Sequence, residues 1–350
     1  MIVYLAVLTF ICALAMLSLF LPHRLRVVRP GISLVGYSLM CLFIGLRDKV
    51  GADWDSYKII FTVLEKLPLV ATFIIVEPLY GLCNRLVYLV GGDIHLVNLI
   101  CATISLTCLF NFSRLVEVDS NLLLFIATPY LLFVVGMGYT RQSVAVGLAL
   151  NAVGYLRHKR EGMFYLFACL AAMFHYSAVF LILMWWIKNF KRTAVLLLAL
   201  LAVSPLLIPL LTGRRYANYL NNDASMQSHG VWTRILLIAF ALLIIFNQKI
   251  KWTQETELRR AIFRGTVALG LLAVLSVFLS TLADRVCLYL FFIYMLGMGT
   301  VIRNAMKPYK FLSILMVVSL SYAVFVAWFG FSSFAALAWF PYGISFYTGT

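Results

Sequence analysis

The sequence predicts an all-α polytopic membrane protein that forms one integral domain over residues 1–350. Of these residues, 63% are apolar and 12% are charged, and apolar runs of roughly 15 to 21 residues alternate with short charged clusters. Backbone polar groups must be paired internally in lipid, and the runs are too long for barrel strands, so they predict helices. We expect about 11–12 transmembrane or half-membrane helices, with interfacial helices and loops on the outer face.

Composition also excludes several classes of function. The net charge of +15 would suit nucleic acid, but most Lys and Arg residues lie in short loops between apolar runs, as the positive-inside rule describes, so no nucleic acid is expected. The seven cysteines show no CxxC spacing and fall almost all within apolar runs, which is typical of buried thiols. Because the sequence has no P-loop, HExxH or GxSxG motif, we expect no metal or other cofactor.

Charge placement predicts the topology of the first half. The run 1–21 has basic residues only behind it, the reverse of a signal peptide, and predicts a retained span with an outer N-terminus. The cluster 157–160 is expected in the cytoplasm, and counting spans back from it places Arg47 and residues 91–93 outside. The segment 47–93 then makes no net crossing, which predicts an outer loop of interfacial helices or a shallow hairpin. The spans expected in this half are 1–21, 31–46, 94–112, 121–137 and 142–156.

A break in the run 162–187 follows from the same argument. The run is long enough for one span, but basic clusters flank it on both sides. Two half-length helices that meet near His175 would place both clusters in the cytoplasm. Residues 213–230 are then a second outer loop, 248–264 a charged cytoplasmic loop, and the C-terminus is outside. The spans expected in this half are 193–212, 231–247, 265–282, 286–302 and 311–329.

Polar side chains on the outer side are the candidate functional residues, because an ionisable group at or inside a bilayer is costly. Arg47, Asp53 and Tyr57 open the first outer loop. Snorkelling charge at a helix end is the alternative explanation for the arginine. Glu77 precedes Pro78 and fits either a helix start or a functional acid.

Arg141 and Gln142 follow a glycine-containing gap between two spans. A guanidinium keeps its charge and binds phosphate through two hydrogen bonds, which suits an anionic ligand at the interface, whereas anchoring at lipid headgroups is the alternative. His175 lies at the expected helix break. It can accept or donate a proton near neutral pH, although a lone helical histidine more often has a packing role.

Two further groups of arginines are candidates. The second outer loop contains Arg214, Arg215 and Tyr216, which suit a sugar-phosphate ligand through guanidinium and aromatic contacts, although an ordinary polar loop is the alternative. Arg285 follows Asp284 at the expected end of a span, with Tyr289 one turn on. This pair is either a structural ion pair or a second phosphate clamp. Since these groups all lie on the outer face, we expect the active surface there.

Taken in order, these residues resemble the EpsG/Wzy family of polysaccharide polymerases, which includes the O-antigen polymerases. The similarity runs over about residues 45–290, and its most specific elements are the Arg-Gln pair at 141–142 and the Phe-His-x-Ser pattern at 174–177. The other matching elements are Arg47 with Gly51-Ala52-Asp53 and Tyr57, then Glu77-Pro78-Leu79-Tyr80, and Asp284-Arg285.

The resemblance implies a GT-C-like membrane glycosyltransferase in the bacterial inner membrane, with its active site facing the periplasm. Such an enzyme polymerises undecaprenyl-diphosphate-linked oligosaccharide repeat units into O-antigen or a related surface polysaccharide. The implied partners are the donor and acceptor lipid-linked oligosaccharides and membrane lipid, with a chain-length regulator protein as a further candidate.

Residue roles follow from this resemblance and from the charge of each group. Arg141 and Arg285 would bind the diphosphate, assisted by Arg214 or Arg215, without a metal. His175 or Glu77 would orient or deprotonate the attacking hydroxyl, so the catalytic candidates are His175, Arg141 and Glu77. The substrate-binding candidates are Arg47, Asp53, Tyr57, Gln142, Arg214, Arg215, Tyr216, Arg285 and Tyr289.

Functions of other classes stay open at this point. A flippase or other transporter of lipid-linked oligosaccharides would be expected to show internal repeats or charges deep within spans, whereas the polar residues here gather on one face. An O-antigen ligase-like glycan transferase is chemically closest to a polymerase. A membrane O-acyltransferase would also use a histidine, but it would not need several outer arginines.

Overall fold

The computed structural model of the protein describes residues 1–186, 228, 230–247 and 256–345. The described residues are mostly helical, and five of their helices are long and apolar enough to span a membrane. The prediction of an all-α polytopic membrane protein is therefore confirmed. The expected span 193–212 and most of the expected loop 213–230 lie outside the described residues. The five helices are Ile2–Phe20, His23–Gly45, Ile94–Leu115, Ser280–Asn304 and Lys307–Phe331.

The first two spans are α1 (Ile2–Phe20) and α2 (Arg29–Gly45), which a 3₁₀ turn (His23–Val28) joins. Three short helices follow in the segment 47–93. At 12, 7 and 12 residues, they are well short of the ~20 residues that a helix needs to cross a bilayer. They are α3 (Trp54–Glu65), α4 (Leu69–Ile75) and α5 (Pro78–Leu89).

This segment begins and ends at the same end of the helix bundle. His95, just after the segment, places its Nε2 atom 3.3 Å from Oδ1 of Asp48, at its start. The chain from 47 to 93 therefore makes no net crossing. The next helix, α6 (Ile94–Leu115), starts there because the Asp93 side chain accepts hydrogen bonds from the N–H groups of His95 and Leu96 and so caps it.

Two helices that follow α6 form much of the buried centre. Helix α7 (Ser120–Ala127) continues as a π-helix (Thr128–Gly136), and α8 (Thr140–Arg157) follows after a short connection. A Cβ atom on Gly147 of α8 would lie 3.2 Å from backbone atoms of Ser105, so a small residue lets α8 pack closely against α6. This packing holds α8 close beside α6.

The chain breaks at His175, as the charge pattern predicted. Helix α9 (Glu161–Phe174) ends there because the His175 backbone is extended (φ −157°, ψ 117°). A 3₁₀ turn (Tyr176–Ala178) then leads into α10 (Val179–Trp186), which returns along α9. The rings of Phe164 and Trp185 lie 5.4 Å apart, so the far ends of the two helices meet and His175 lies at the tip of a hairpin.

The later helices differ in their boundaries from the expectation. They are α11 (Val231–Asn247), α12 (Thr256–Leu275), α13 (Ser280–Cys287) and α14 (Phe291–Asn304), with a 3₁₀ turn (Leu288–Leu290) between the last two.

Two expectations about this region were wrong. Residues 256–264, expected in a loop, belong to α12. Asp284 and Arg285, expected at a span terminus, lie within α13, because the chain turns earlier, at residues 276–279.

The C-terminal residues return to the segment that opens at Arg47. After α15 (Lys310–Phe331) and α16 (Ser333–Ala338), strand β2 (Gly343–Ile344) pairs antiparallel with strand β1 (Arg47–Asp48). The Gly51 N–H donates to the Ala338 carbonyl at 2.7 Å. The loop that precedes α3 is therefore held by the C-terminal segment.

Burial separates central from peripheral helices. In the span Ser280–Asn304, 89% of the most apolar stretch of 18 residues is buried inside the protein. The corresponding share is 28% in Ile2–Phe20 and in Lys307–Phe331. The peripheral spans present apolar side chains outward, which is how helices meet lipid. The central helices are therefore enclosed by protein and can carry polar side chains toward an internal site.

The bundle has two chemically different ends. We call the end that carries Glu77, Arg141 and His175 the site end. At the opposite, basic end, Arg157 donates to Glu117 Oε2 at 2.8 Å, and Arg303 donates to the Val116 carbonyl at 2.9 Å. The described residues that the sequence placed outside and those that it placed in the cytoplasm thus gather at separate ends.

Candidate active site

A buried carboxylate, Glu77, joins three segments of the chain at the site end. It precedes α5, whose first helical residue is Pro78, a position where the missing proline N–H costs no hydrogen bond. Glu77 Oε2 accepts a hydrogen bond from Arg141 Nη1 at 2.6 Å, and Oε1 accepts one from His175 Nδ1 at 2.9 Å. Both carboxylate oxygens are therefore engaged, by residues 64 and 98 positions away in the sequence.

The ionisation of Glu77 determines the protonation of His175. Burial opposes the charged form of Glu77, but the His175 hydrogen bond and the Arg141 charge outweigh it and lower the pKa of Glu77 to about 2. Because an ionised carboxylate only accepts hydrogen bonds, His175 Nδ1 carries the proton. In the neutral ring, Nε2 is then a hydrogen-bond acceptor.

Arg141 is held by aromatic rings as well as by Glu77. Its guanidinium carbon lies 5.5 Å from the ring centre of Tyr57 and 5.6 Å from that of Tyr80, close enough for cation–π attraction. The Arg141 side chain is nevertheless 23% exposed, whereas that of Glu77 is 1% exposed. Arg141 is therefore fixed in place and still able to reach a ligand.

A second arginine, Arg285, is tied to the residue that follows Arg141. Gln142 Nε2 donates to the Arg285 carbonyl at 2.7 Å, and Arg285 Nη1 donates to Gln142 Oε1 at 3.0 Å. The Arg285 guanidinium carbon also lies 4.5 Å from the ring centre of Tyr139. These contacts join α13 to the first turn of α8, so the two arginines are brought together.

Asp284 does not form the ion pair with Arg285 that the sequence left open. It pairs instead with Arg234 of α11, and both side chains are almost completely buried. Arg234 also donates to the Tyr130 hydroxyl in the π-helix. Arg234 therefore neutralises Asp284 away from the cavity, and this pair anchors the helix that carries Arg285.

A cavity of about 200 Å³ lies between these segments. Among the described residues, its wall combines permanent cations with one carboxylate, one imidazole and neutral hydrogen-bonding groups. Two guanidiniums beside a helix N-terminus suit an anion, and the carboxylate suits a hydroxyl donor. The lining residues are Asp53, Ser56, Tyr57, Arg141, Gln142, His175 and Arg285.

Asp53 owes its position to the turn before α3. Gly51 has φ +109°, and a Cβ atom there would collide with the Met137 carbonyl, so only glycine fits. The Trp54 N–H donates to the Gly51 carbonyl at 3.1 Å, which closes the turn around Asp53. Burial raises the pKa of Asp53, while the charges of Arg285 and Arg141 and the nearby His175 oppose this rise.

Arg47, expected to bind substrate, does not line the cavity. It is 1% exposed and donates to the carbonyls of Ile44 at 2.6 Å and Val50 at 3.2 Å, and to Thr140 Oγ1 at 2.8 Å. Asn98 Oδ1 accepts a further hydrogen bond at 3.3 Å. The guanidinium thus joins α2, the turn before α3, α6 and the start of α8.

Tyr289 is also set back from the cavity. It is 1% exposed, and its hydroxyl lies 2.9 Å from Ser177 Oγ, just beyond the break at His175. It therefore supports the hairpin tip. The expected substrate-binding residues Arg214, Arg215 and Tyr216 lie outside the described residues.

Three residues of this region were not among the candidates that the sequence offered. Ser56 lines the cavity, Tyr80 packs against Arg141, and Tyr139 packs against Arg285. One signal was present: Asp53, Ser56 and Tyr57 have the i, i+3, i+4 spacing that places side chains on one helix face. Tyr80 belongs to a matching element of the family resemblance but was given no role, and Tyr139 has no comparable signal, because it acts through a ring contact with a distant segment.

The described residues contain no group of three or more His, Cys, Asp or Glu side chains that could hold a metal ion. Metal independence of the reaction stays a prediction.

Comparison of the chain with curated proteins and with solved structures finds no match. The model of the EpsG family matches residues 32–344, which include every residue that lines the cavity. The chain therefore belongs to the EpsG family.

Proposed function

We propose that the protein is a membrane glycosyltransferase that polymerises undecaprenyl-diphosphate-linked repeat units into O-antigen or a related surface polysaccharide. The EpsG family includes Wzy-like polysaccharide polymerases, which supports the general activity. The observation that carries the proposal is that Arg141 and Arg285 line one cavity together with His175 and Asp53. Had these residues lain at different ends of the bundle, no single site could serve both a diphosphate and a hydroxyl.

The reaction assigned to this cavity exchanges one bond for another. The bond between the anomeric carbon of the donor sugar and its diphosphate oxygen breaks, and the electron pair leaves with the diphosphate. The acceptor hydroxyl oxygen forms the new bond to that carbon and releases its proton. Arg141 and Arg285, which line the cavity, stabilise the leaving diphosphate, which is where negative charge develops.

The size of the cavity suits the reacting groups alone. At about 200 Å³ it is smaller than the ~300–1,000 Å³ pockets that enclose most of a drug-sized ligand. The lipid tails and most of each oligosaccharide would then lie outside it, in the membrane and above the site end. A small reaction space that the reacting groups fill leaves little room for water and so favours sugar transfer over hydrolysis.

The finer parts of the proposal follow from charge. The basic end faces the cytoplasm and the site end faces the periplasm of the inner membrane, as the positive-inside rule predicts. Arginines keep their charge at every working pH, so they can stabilise the diphosphate without a metal in a GT-C-like enzyme. Arg214 and Arg215 of the second outer loop would assist in binding the diphosphate. A chain-length regulator protein is a candidate partner.

In vitro extension tests the proposed activity. The full-length protein would be reconstituted in lipid nanodiscs with undecaprenyl-diphosphate-linked repeat units, and the products separated on a gel. We expect a ladder of lipid-linked products that differ by one repeat unit. Transfer restricted to a lipid A or protein acceptor would show a ligase, and vesicle assays that show movement across the bilayer with no new glycosidic bond would show a flippase. Either result would overturn the polymerase proposal.

A further inference from the structure

We propose that Asp53 receives the proton of the acceptor hydroxyl, and that Glu77 is a positioning residue that holds Arg141 and His175. This inference rests on the proposed polymerase activity and deepens it by assigning the base. The acceptor oxygen bonds to the donor's anomeric carbon, the diphosphate leaves with the bonding electrons, and the proton passes to a carboxylate oxygen of Asp53.

Glu77 is not placed to act as the base. Its oxygens already accept hydrogen bonds from Arg141 and His175, and it does not line the cavity. The Glu77 side chain is 1% exposed, and Arg141 and His175 lower its pKa, so Glu77 is a poor acceptor for a substrate proton. Glu77 therefore fixes the two side chains that face the substrate and is not itself placed to meet the acceptor.

The cavity wall offers one other acidic side chain among the described residues. Asp53 is the one carboxylate among its described lining residues. Within the described part of the chain, no hydrogen bond or ion pair engages the Asp53 side chain, although Arg141, Arg285 and His175 lie near enough to act on it electrostatically. Asp53 is partly buried, and its carboxylate is free to accept a hydrogen bond from a sugar hydroxyl.

The distribution of charge in the cavity separates the two reacting groups. A diphosphate is attracted to Arg141 and Arg285 but repelled by Asp53, so the neutral hydroxyl is the reacting group that Asp53 can accommodate. Burial raises the pKa of Asp53, and the diphosphate's own negative charge would raise it further. A carboxylate with a raised pKa is a better proton acceptor at neutral pH.

His175 is the competing base, and its geometry gives it another role. Its Nδ1–H is held by Glu77, which fixes the ring at the hairpin tip. From there the ring can orient the acceptor through Nε2. Because both His175 and Asp53 face the cavity, their contributions must be separated by kinetics.

The experiment measures the turnover number for extension of a lipid-linked repeat unit by the reconstituted protein from about pH 5 to about pH 9. The proteins compared are wild type, Asp53→Asn, His175→Gln and Asp55→Asn. Asp55 is the matched control, since it lies two residues after Asp53, is exposed and does not line the cavity. Binding of undecaprenyl diphosphate reports that each variant is folded.

For wild type and Asp55→Asn we expect activity to rise with pH as the Asp53 carboxyl ionises, and then to level off. Asp53→Asn should lose about 10²–10⁴-fold in kcat and lose this rise with pH, while it still binds undecaprenyl diphosphate. His175→Gln should be slower but keep the rise. If Asp53→Asn does not bind the carrier, Asp53→Glu replaces it and should keep the rise at a lower kcat.

Wild-type activity in Asp53→Asn would overturn the assignment. The assignment would also be overturned if the rise of activity with pH persisted in Asp53→Asn and disappeared in His175→Gln. Loss of this rise in Asp53→Glu would overturn it as well. None of these results affects the polymerase proposal, because wild type would still make the ladder. Absence of the ladder from wild type would reject the polymerase proposal itself.

Discussion

At the scale of single residues, four described arginines of the site end fall into two kinds. Arg141 and Arg285 line the cavity and are held by neighbouring side chains. Arg47 and Arg234 are almost fully buried and bind backbone carbonyls or a buried carboxylate. The sequence shows the same residue type in all four cases, so burial decides which arginines can meet a substrate.

The first prediction concerns Arg141. Arg141→Ala should reduce chain extension by about 10²–10³-fold or abolish it, because a charge that stabilises the leaving diphosphate is lost. The protein should still accumulate in the membrane. The gel ladder and the membrane protein level measure the two effects. Arg114→Ala is the control, because Arg114 is exposed at the basic end. An unchanged polymer length in Arg141→Ala would remove Arg141 from the mechanism.

Arg47 should show the opposite behaviour. Arg47→Lys keeps the charge but cannot span acceptors on α2, the turn before α3, α6 and α8, so it should cost about 1.5–3 kcal/mol for each charged hydrogen bond lost. We expect a lower Tm in detergent and a reduced protein level. If Arg47→Lys were as stable as wild type but inactive, Arg47 would have to contact substrate.

Glu77 should make stability depend on acid pH. Its folded pKa of about 2 lies below the ordinary 4.5, so its contribution is present above about pH 4.5 and is lost as the pH falls toward 2. Its size is on the order of 3 kcal/mol. Glu77→Gln should therefore be less stable than wild type at pH 7, with the gap narrowing on acidification. Thermal unfolding in detergent at several pH values measures this, and a gap that does not change with pH would contradict it.

At the scale of elements, the site depends on turns that fix where helices begin. The turn at Gly51 sets the start of α3 and the position of Asp53, and the break at His175 ends α9. The two turns belong to different parts of the chain, and no helix or strand connects them directly. Each is held instead by a distant segment: Ala338, the last residue of α16, in one case and Glu77 in the other.

Gly51→Ala should therefore reduce both stability and activity. A Cβ atom would collide with the Met137 carbonyl and would force an alanine into a backbone conformation with φ +109°. Gly162→Ala is the matched control, because nothing lies within 4 Å of its added Cβ in the exposed first turn of α9. We expect the control to be at least as stable as wild type. Equal activity of the two variants would show that the turn does not position Asp53.

Some elements could be predicted from the sequence because their cause is local. The break at His175 follows from basic clusters on both sides of one apolar run, and the residues of α3 that face the cavity follow from helical spacing. The pairing of β1 with β2 and of Asp284 with Arg234 could not be predicted. Both contacts join segments far apart in the chain, and only the packing of the intervening helices brings them together.

At the scale of the whole molecule, charge separates the two ends of the bundle. Expected outer residues such as Glu77, Arg141 and His175 meet at the site end, and expected cytoplasmic residues such as Arg157 and Arg303 meet at the basic end. This arrangement depends on the hairpin of α9 and α10. A single straight helix there would move the start of α12 to the opposite side of the membrane from the turn between α8 and α9.

Cysteine labelling tests this arrangement and its orientation together. In a variant without the seven native cysteines, we would introduce Lys66→Cys at the site end, Lys159→Cys before α9 and Arg260→Cys near the start of α12, all at exposed positions. A membrane-impermeant maleimide should label the first in intact spheroplasts and the other two only after permeabilisation, because the basic end faces the cytoplasm.

The cysteine-free parent is the control for background. Labelling of the Arg260→Cys variant from outside, with the Lys159→Cys variant protected, would require a straight crossing in place of the hairpin. Labelling of both from outside would reverse the orientation and place the cavity on the cytoplasmic face.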